Sequence, residues 1–477
     1  MMSLTNMLRG LKDDLPARAL LALWEHDAES LRFWRASSNF VYVFELHGKP
    51  YYLRFIHEED QSRVQLEAEL NFIHYLLKQG YAAAPPVRSL SGEWIETAET
   101  DHGTYYGVVF AQAAGVSLAI EQMSEQQLYQ WGQSLATLHH LSAAYPRQNV
   151  PHQSWNDALA FISATLQSSA ARIDSELLPQ LQHAVNRLHR QFMQLPAGTA
   201  DVGIVHYDFE PDNLFYMADE TKYCVIDFND GMLHWFMMDI TSAIRGLLEV
   251  SDESAEYKLQ LFLNGYRSVK ELDEQYASLL PLFQSFSELY TLARLLRSVA
   301  GMEALPASAP EWADQLRAKL LGVCDQIMAR YHKKIVLQPV TAENWYECTQ
   351  LEVTAEQTAW FPVSSVYWLA ESAYCGFTPL AIYAGDQLVG LAIYAVDPED
   401  GSYWIMAFLI DKQFQGQGFG RAAMQRLIHY MHERHHCPKI VLGHRPNNMR
   451  AAALYASLGF DEVMRTGHEI IRELKLS

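Results

Sequence analysis

One short stretch of the chain brings together the residue types that phosphoryl transfer requires. Gly203-Ile-Val-His-Tyr-Asp-Phe-Glu-Pro-Asp-Asn-Leu-Phe-Tyr216 contains His206, Asp208 and, five residues after the latter, Asn213. Val225-Ile-Asp-Phe228 follows, a buried-strand pattern that releases Asp227 at the strand end. Such chemistry needs a carboxylate to orient an attacking hydroxyl and hard oxygen ligands to hold Mg2+ on the phosphates. Asp208 suits the first task, and Asn213 and Asp227 suit the second. Isolated Asp residues on loops are mostly solvated surface. The signal is that three oxygen ligands and a His arrive at this spacing on a strand-loop-strand.

A second constellation lies near the other end. Ile410-Asp-Lys-Gln-Phe-Gln-Gly-Gln-Gly-Phe-Gly-Arg-Ala-Ala-Met424 reads as strand, glycine-rich turn and helix. Gly416, Gly418 and Gly420 let backbone approach an anion, toward which the new helix points free N–H groups. A dinucleotide site would require an acidic residue ending a second parallel strand about 20 residues on, and none is present. Instead come Ile440-Val-Leu-Gly443 and Asn448-x-x-Ala451-x-x-Leu-Tyr455-x-x-x-Gly459-Phe460.

The elements that must position these groups differ between the two ends. Phe40–Leu46 and Pro50–Phe55 read as a hairpin about His47-Gly48-Lys49. A helix is expected from about Gln65 to Lys78, with Leu66, Leu70, Ile73 and Leu77 on one face, and strands around Val87–Ile95 and Tyr105–Phe110 complete a small β-rich lobe. Helical spacing dominates from Ser124 to about Tyr331, broken by a loop and two short strands between Gly203 and Phe228 and by a loop at Leu305–Pro310. Beyond about Lys333 the texture becomes α/β, with strands at Val336–Pro339, Leu380–Tyr383, Leu388–Ala395 and Tyr403–Ile410. Two domains, 1–333 and 334–477, are expected. That suits 477 residues, more than one core sustains.

Composition narrows the partners. Hydrophobic residues make up 49% and charged residues 19%, as in a folded globular protein. The formal charge of −20 disfavours nucleic acid, which needs clustered Lys and Arg, and favours small cationic molecules. No apolar run approaches the roughly 20 residues that span a bilayer, so no membrane partner is expected. Met1 to Arg18 carry mixed charges without an apolar run, so no signal peptide is expected either. Five scattered cysteines, none in a C-x-x-C pair, fit a reducing cytoplasm.

The H-x-D-x-x-x-x-N and I-D-F motifs resemble the aminoglycoside phosphotransferase and choline kinase-like family. Gly132-x-x-Leu-Ala-x-Leu-His139 and the glycine-less Ser37-Ser-Asn-Phe-Val-Tyr42 extend the resemblance to roughly residue 330. It implies a kinase-like bilobal α+β fold, a β-rich lobe above a helical one, with ATP and Mg2+ between the lobes. It places Asp208 and His206 in catalysis and Asn213 and Asp227 on the metal. Asn39, Arg54, Glu69 and the hinge from Phe110 to Ala113 go on the nucleotide. Arg54 stands where many relatives have Lys, which keeps the charge but alters the geometry. Asp230 is expected near the metal and Asp239 beneath the catalytic loop. No D-F-G or A-P-E segment follows, which disfavours a protein kinase.

The glycine-rich turn and the Asn448 to Phe460 motif together resemble the GNAT superfamily of acyl-CoA N-acyltransferases, over about residues 335 to 476. An α/β fold with a mixed, mostly antiparallel sheet is implied. Gln415, Gly416, Gly418, Gly420, Arg421 and Asn448 are placed on acetyl-CoA, and Tyr455 as the acid that protonates the leaving thiolate. Glu356 or Glu352, on a first helix, is the expected base. Leu351 to Phe361, Ser364-Ser365 and Pro379 to Tyr383 look like diamine or spermidine acetyltransferases, with Trp360, Tyr367 and Trp368 as aromatic faces and Glu352, Glu356 and Glu371 as charge. The function implied is a bifunctional enzyme. One half phosphorylates a small hydroxylated molecule; the other acetylates a small amine such as a polyamine or aminoglycoside. A homodimer is compatible with this. The alternative is a polyamine acetyltransferase carrying a non-catalytic kinase-like sensor.

Overall fold

A computed structural model describes the chain apart from residues 147–151, 197, 199–200, 249–252, 273–275, 303–308, 333–334, 386, 399 and 477. The expected boundary at Lys333 and most of the expected loop at Leu305–Pro310 lie outside the described residues. The chain divides into two compact units: Met1–Ser169 with Val185–Ile327, and Ala170–Ala184 with Met328–Ser477. Among the described residues no helix is long and apolar enough to cross a membrane.

The first unit opens on two short helices, Leu4–Gly10 and Leu15–Leu21, which pack beneath a six-stranded antiparallel sheet through Leu4, Leu20, Phe40, Phe55 and Tyr105. Strands Phe40–Leu46 and Lys49–His57 meet at His47 and Gly48. Both have positive φ, as a two-residue hairpin that follows strand twist requires. Arg32–Ala36 adds an edge strand whose exposed, charged residues hid it from periodicity. Helix Arg63–Lys78 starts on a capping box between Ser62 and Gln65 and buries Leu66, Leu70 and Ile73. The strand expected at Val87–Ile95 is not formed. Only Pro86–Val87 pairs, and Ser89 accepts from the Gly92 amide and donates to the Glu93 carbonyl, which closes a turn before Glu96–Thr100.

The helical part of this unit explains one motif. Helices Glu125–Ala143 and Glu253–Arg267 cross so closely that a Cβ on Gly132 would lie 1.8 Å from the Phe262 carbonyl oxygen. One on Gly265 would lie 1.7 Å from that of Tyr129. Helix Glu125–Ala143 also carries His139, which bonds Asp239 near the segment that bears Asp208. That segment lies among short strands, Val202–Val205, Leu214–Met217 and Lys222–Val225, where two had been expected between Gly203 and Phe228, with Met232–Trp235 following.

In the second unit, seven strands run in the order Ile335–Pro339, Thr378–Ala384, Gln387–Val396, Tyr403–Ile410, Lys439–His444, Ile470–Lys475, Asp461–Arg465. Every neighbouring pair is antiparallel except Tyr403–Ile410 with Lys439–His444. Helix Phe419–His435 covers one face through Met424, Leu427 and Met431. The expected first helix carrying Glu352 and Glu356 is broken. It spans only Trp345–Thr349, and a separately capped 3-10 turn, Ala355–Ala359, starts from Thr354 and Gln357.

Candidate active sites

In the first unit, the segment after Val202–Val205 is held from below by one carboxylate. Asp239 is fully buried and accepts from the backbone N–H of His206 (2.7 Å) and Tyr207 (2.5 Å). Its third partner is His139 Nε2 at 3.0 Å; His139 Nδ1 faces the Tyr266 hydroxyl at 2.8 Å. Burial lowers the His139 pKa, so the ring is neutral, donating to Asp239 and accepting from Tyr266. This clamp forces Tyr207 into the left-handed region (φ 71), which aims the next residue, Asp208, out of the loop.

His206, expected in catalysis, spends both ring nitrogens on backbone. It is fully buried, its Nε2 bonds the Ile226 carbonyl (2.9 Å), and its Nδ1 accepts from the Asp208 amide (3.3 Å). It ties the catalytic loop to the strand that delivers Asp227. Asn213 spends its amide nitrogen on Asp208, at 2.9 Å to the carbonyl and 3.0 Å to the carboxylate. Its amide oxygen is left as a donor for a cation. Asp227, itself left-handed (φ 63), presents Oδ1 buried and without a hydrogen-bond partner. Two oxygens freed in this way fit a divalent cation. Asp230 does not join them. Burial would raise its carboxyl, but the adjacent Arg294 guanidinium (2.8 and 3.0 Å) outweighs this and holds it below its ordinary value.

Above the loop, Arg54 and Glu69 form a buried pair through two parallel bonds of 2.8 and 2.6 Å, with Arg54 5.0 Å over the Phe110 ring. Arg in place of Lys therefore preserves the pairing. Arg54 also approaches Asp227 Oδ1 (3.6 Å), and Arg35, which sequence reasoning missed, bonds Asp227 Oδ2 (3.2 Å). These groups line a cavity of 420 Å³ bounded by Asn39, Val41, Ala84, Phe110 to Ala113 and Phe215. Asn39 Oδ1 is buried there without a partner. An apolar slot ending in such polar groups fits a nucleotide base followed by its phosphates.

In the second unit the site is a gap between strands. Tyr403–Ile410 pairs with Lys439–His444 only through Ile405, so Met406 to Ile410 turn an unpaired edge to the opening. On the other side, a register shift between Ile393 and Tyr394 leaves Met406 as a bulged extra residue. The gap holds a 530 Å³ cavity lined by that strand, Gly416, Gly418, Gly420, Arg421, Arg445, Asn448, Arg450 and Tyr455. Gly416 (φ 78) and Gly418 (φ 84) take conformations that disfavour side chains, and Gly418 caps the helix Phe419–His435. A helix N-terminus and three arginines fit a polyanionic cofactor end.

Gln415 acts through position. Its side chain bonds the Ile410 carbonyl (2.9 Å) and Gln357 (2.8 Å), which locks the loop. Asn448 accepts from the Ala451 amide and caps helix Met449–Ser457, which presents Tyr455 seven residues later on the same face. Burial pushes the Tyr455 pKa up to about 12, so the phenol stays protonated at neutral pH. Neither expected base reaches the cavity. Glu356 lies exposed on the 3-10 turn, and Glu352 pairs with Lys412 at 2.5 Å, which lowers its pKa. Trp360 and Trp368 do line it, the latter with a buried, unpartnered indole N–H. Tyr367 is half exposed and Glu371 lies elsewhere. Among the described lining residues there is no carboxylate.

Two families of known proteins match separate parts of the chain. Residues 30–272 match the model of the phosphotransferase enzyme family, and residues 342–460 that of the acetyltransferase (GNAT) family. A probable spermine N(1)-acetyltransferase of Bacillus subtilis subsp. natto is 32% identical over 133 residues, covering 26% of this chain and 87% of that protein. A homoserine kinase of Paramagnetospirillum magneticum is 22% identical over 247 residues, covering 48% of this chain and 69% of its own length. The solved structure of an amicoumacin kinase with AMP-PNP and Ca2+ superimposes with a TM-score of 0.55 at 20% identity. It covers 68% of this chain and 96% of that one, a likeness of fold.

Proposed function

We propose that this chain, which belongs to the phosphotransferase enzyme family and carries a GNAT acetyltransferase domain C-terminal to it, works as two enzymes in one polypeptide. The N-terminal unit phosphorylates the hydroxyl of a small amino-alcohol from ATP, and the C-terminal unit acetylates a small amine of the polyamine type from acetyl-CoA. The observation that carries the reading is the convergence of Asp208, Asn213 and Asp227 below the Arg54–Glu69 pair, in a chain that separately builds the parted-strand cavity around Tyr455. The names of the similar proteins support the two acceptor classes.

Asp208 orients the acceptor hydroxyl and receives its proton, held for this by Asn213. Asn213 and Asp227 are the residues that would hold Mg2+, which when bound neutralises phosphate charge. Arg54 faces the phosphates, kept in place by Glu69. The buried pair speaks against a silent kinase half, since the Arg at this position makes the contact expected of Lys. In the C-terminal unit Tyr455 gives its proton to the departing thiolate. With no carboxylate among the described lining residues, the incoming ammonium loses its proton through water to bulk solvent.

The test is acetyl-CoA consumption and phosphorylated product across polyamines, amino-alcohols and aminoglycosides, with and without Mg-ATP. Polyamine acetylation independent of ATP, together with ATP-dependent phosphorylation of an amino-alcohol, is expected. Amine turnover with no phosphorylated product from any acceptor would reduce the N-terminal unit to a binding module. Tyr455→Phe should slow acetyl transfer by about 10- to 1,000-fold, as loss of one general acid does. Unchanged turnover removes Tyr455 from the mechanism.

A further inference from the structure

The turn that covers the phosphates in the first unit contains no glycine, and none of Ser37, Ser38 and Asn39 has positive φ. It therefore lacks the left-handed residue that lets successive backbone N–H groups converge on an anion. A charged side chain stands nearby instead. In the edge strand Arg32–Ala36, Phe33 pairs with Tyr42 but Arg35 pairs with Val41, so Trp34 is an extra, bulged residue. A one-residue slip sends every following side chain to the opposite face. Here it turns Arg35 into the cavity, in a cross-strand row with Val41 and Arg54. The two arginines stand two strand spacings apart, about 9.6 Å, and both lean on Asp227.

Their commitments differ. Arg54 is neutralised by Glu69 through two short bonds. Asp227 is the sole ion-pair partner of Arg35 among the described residues, and the Arg35 side chain is 46% exposed toward the cleft. A divalent cation on Asp227 would take over that carboxylate and leave the Arg35 guanidinium charged beside the phosphates. A planar guanidinium grips phosphate oxygens in pairs as readily as it grips a carboxylate.

We propose that Arg35 is a nucleotide-phosphate ligand that replaces the backbone grip of a glycine-rich turn. It exchanges Asp227 for the terminal phosphates when nucleotide enters with its cation. This rests on the phosphotransferase reading of the N-terminal unit, and it makes the Trp34 bulge the device that aims the residue.

Calorimetric titration of the full chain and of Arg35→Ala with adenosine, ADP and ATP, each with and without Mg2+, tests it without turnover. Arg35 lies on an exposed edge strand, and adenosine binding serves as the control for an intact cavity. Arg35→Ala should weaken Mg-ATP by about tenfold or more, ADP by less, and adenosine by less than about twofold. Arg35→Lys should recover only part of the ATP loss, because a point charge cannot bond in pairs. If ATP affinity survives Arg35→Ala, or adenosine falls as far as ATP, the assignment is wrong. If the unaltered chain binds none of the three, the phosphotransferase premise fails and takes the assignment with it.

Discussion

Asp208→Asn is expected to cut phosphate transfer from ATP by about 10²- to 10⁴-fold, the range lost with a positioned base. Asn keeps the shape and can still accept from Asn213, so the loss reports the missing charge. Burial raises the Asp208 pKa, and nearby Asp230, Asp212 and Asp227 add to the shift while His206 opposes it. The base works only when ionised, so the acid limb of the rate profile should lie above the ordinary Asp value of about 3.9. The sign for stability follows from the same shift. A carboxyl whose folded pKa is raised gives up stability as pH rises from its unfolded value through its folded one. The Asn variant carries no such cost, so near neutrality it should be at least as stable as the parent while inactive. A variant that transfers phosphate within about threefold of the parent, in matched kinetics and urea unfolding, would remove Asp208 from the chemistry.

Asp239→Ala should be the most damaging single change to the fold of the N-terminal unit. It strips the partner from two backbone N–H groups and from His139 Nε2, all in a place with no exposure. Buried donors left unsatisfied cost about 1–3 kcal/mol each, and broken buried networks typically lose about 3–5 kcal/mol in total. The same substitution frees Tyr207 from its left-handed conformation, so nucleotide turnover should fall even where the unit stays folded. Urea unfolding monitored by the transition that ATP protects is the direct measurement. A loss under about 1 kcal/mol would mean that water replaces the carboxylate and that the clamp has little part in holding the loop.

Much of this was legible in the chain itself. The motif residues Asp208, Asn213 and Asp227 are close in sequence, joined by short strands, so spacing alone brings them together. The Gly416 to Gly420 turn is similarly local, its conformations written in glycine. Gly132 could be recognised as part of a motif but not explained, since what it avoids is a carbonyl on a helix 130 residues away.

The burial of His206 is set by tertiary contacts. A His with both nitrogens spent on backbone cannot be told from a catalytic one by type or spacing. Glu352 and Glu356 lie outside the cavity lining because a capped turn at Thr354 replaces continuation of the helix and a distant Lys412 pairs with Glu352. Arg35 was invisible for a related reason: its face is set by one bulged residue against a neighbouring strand, a matter of register. The sequence by itself determined two chemistries and the residues that local geometry delivers to them. Which charges are paired, which groups are dry and which side of a strand faces the cavity were decided only by the tertiary structure, because each depends on contacts between segments far apart in the chain.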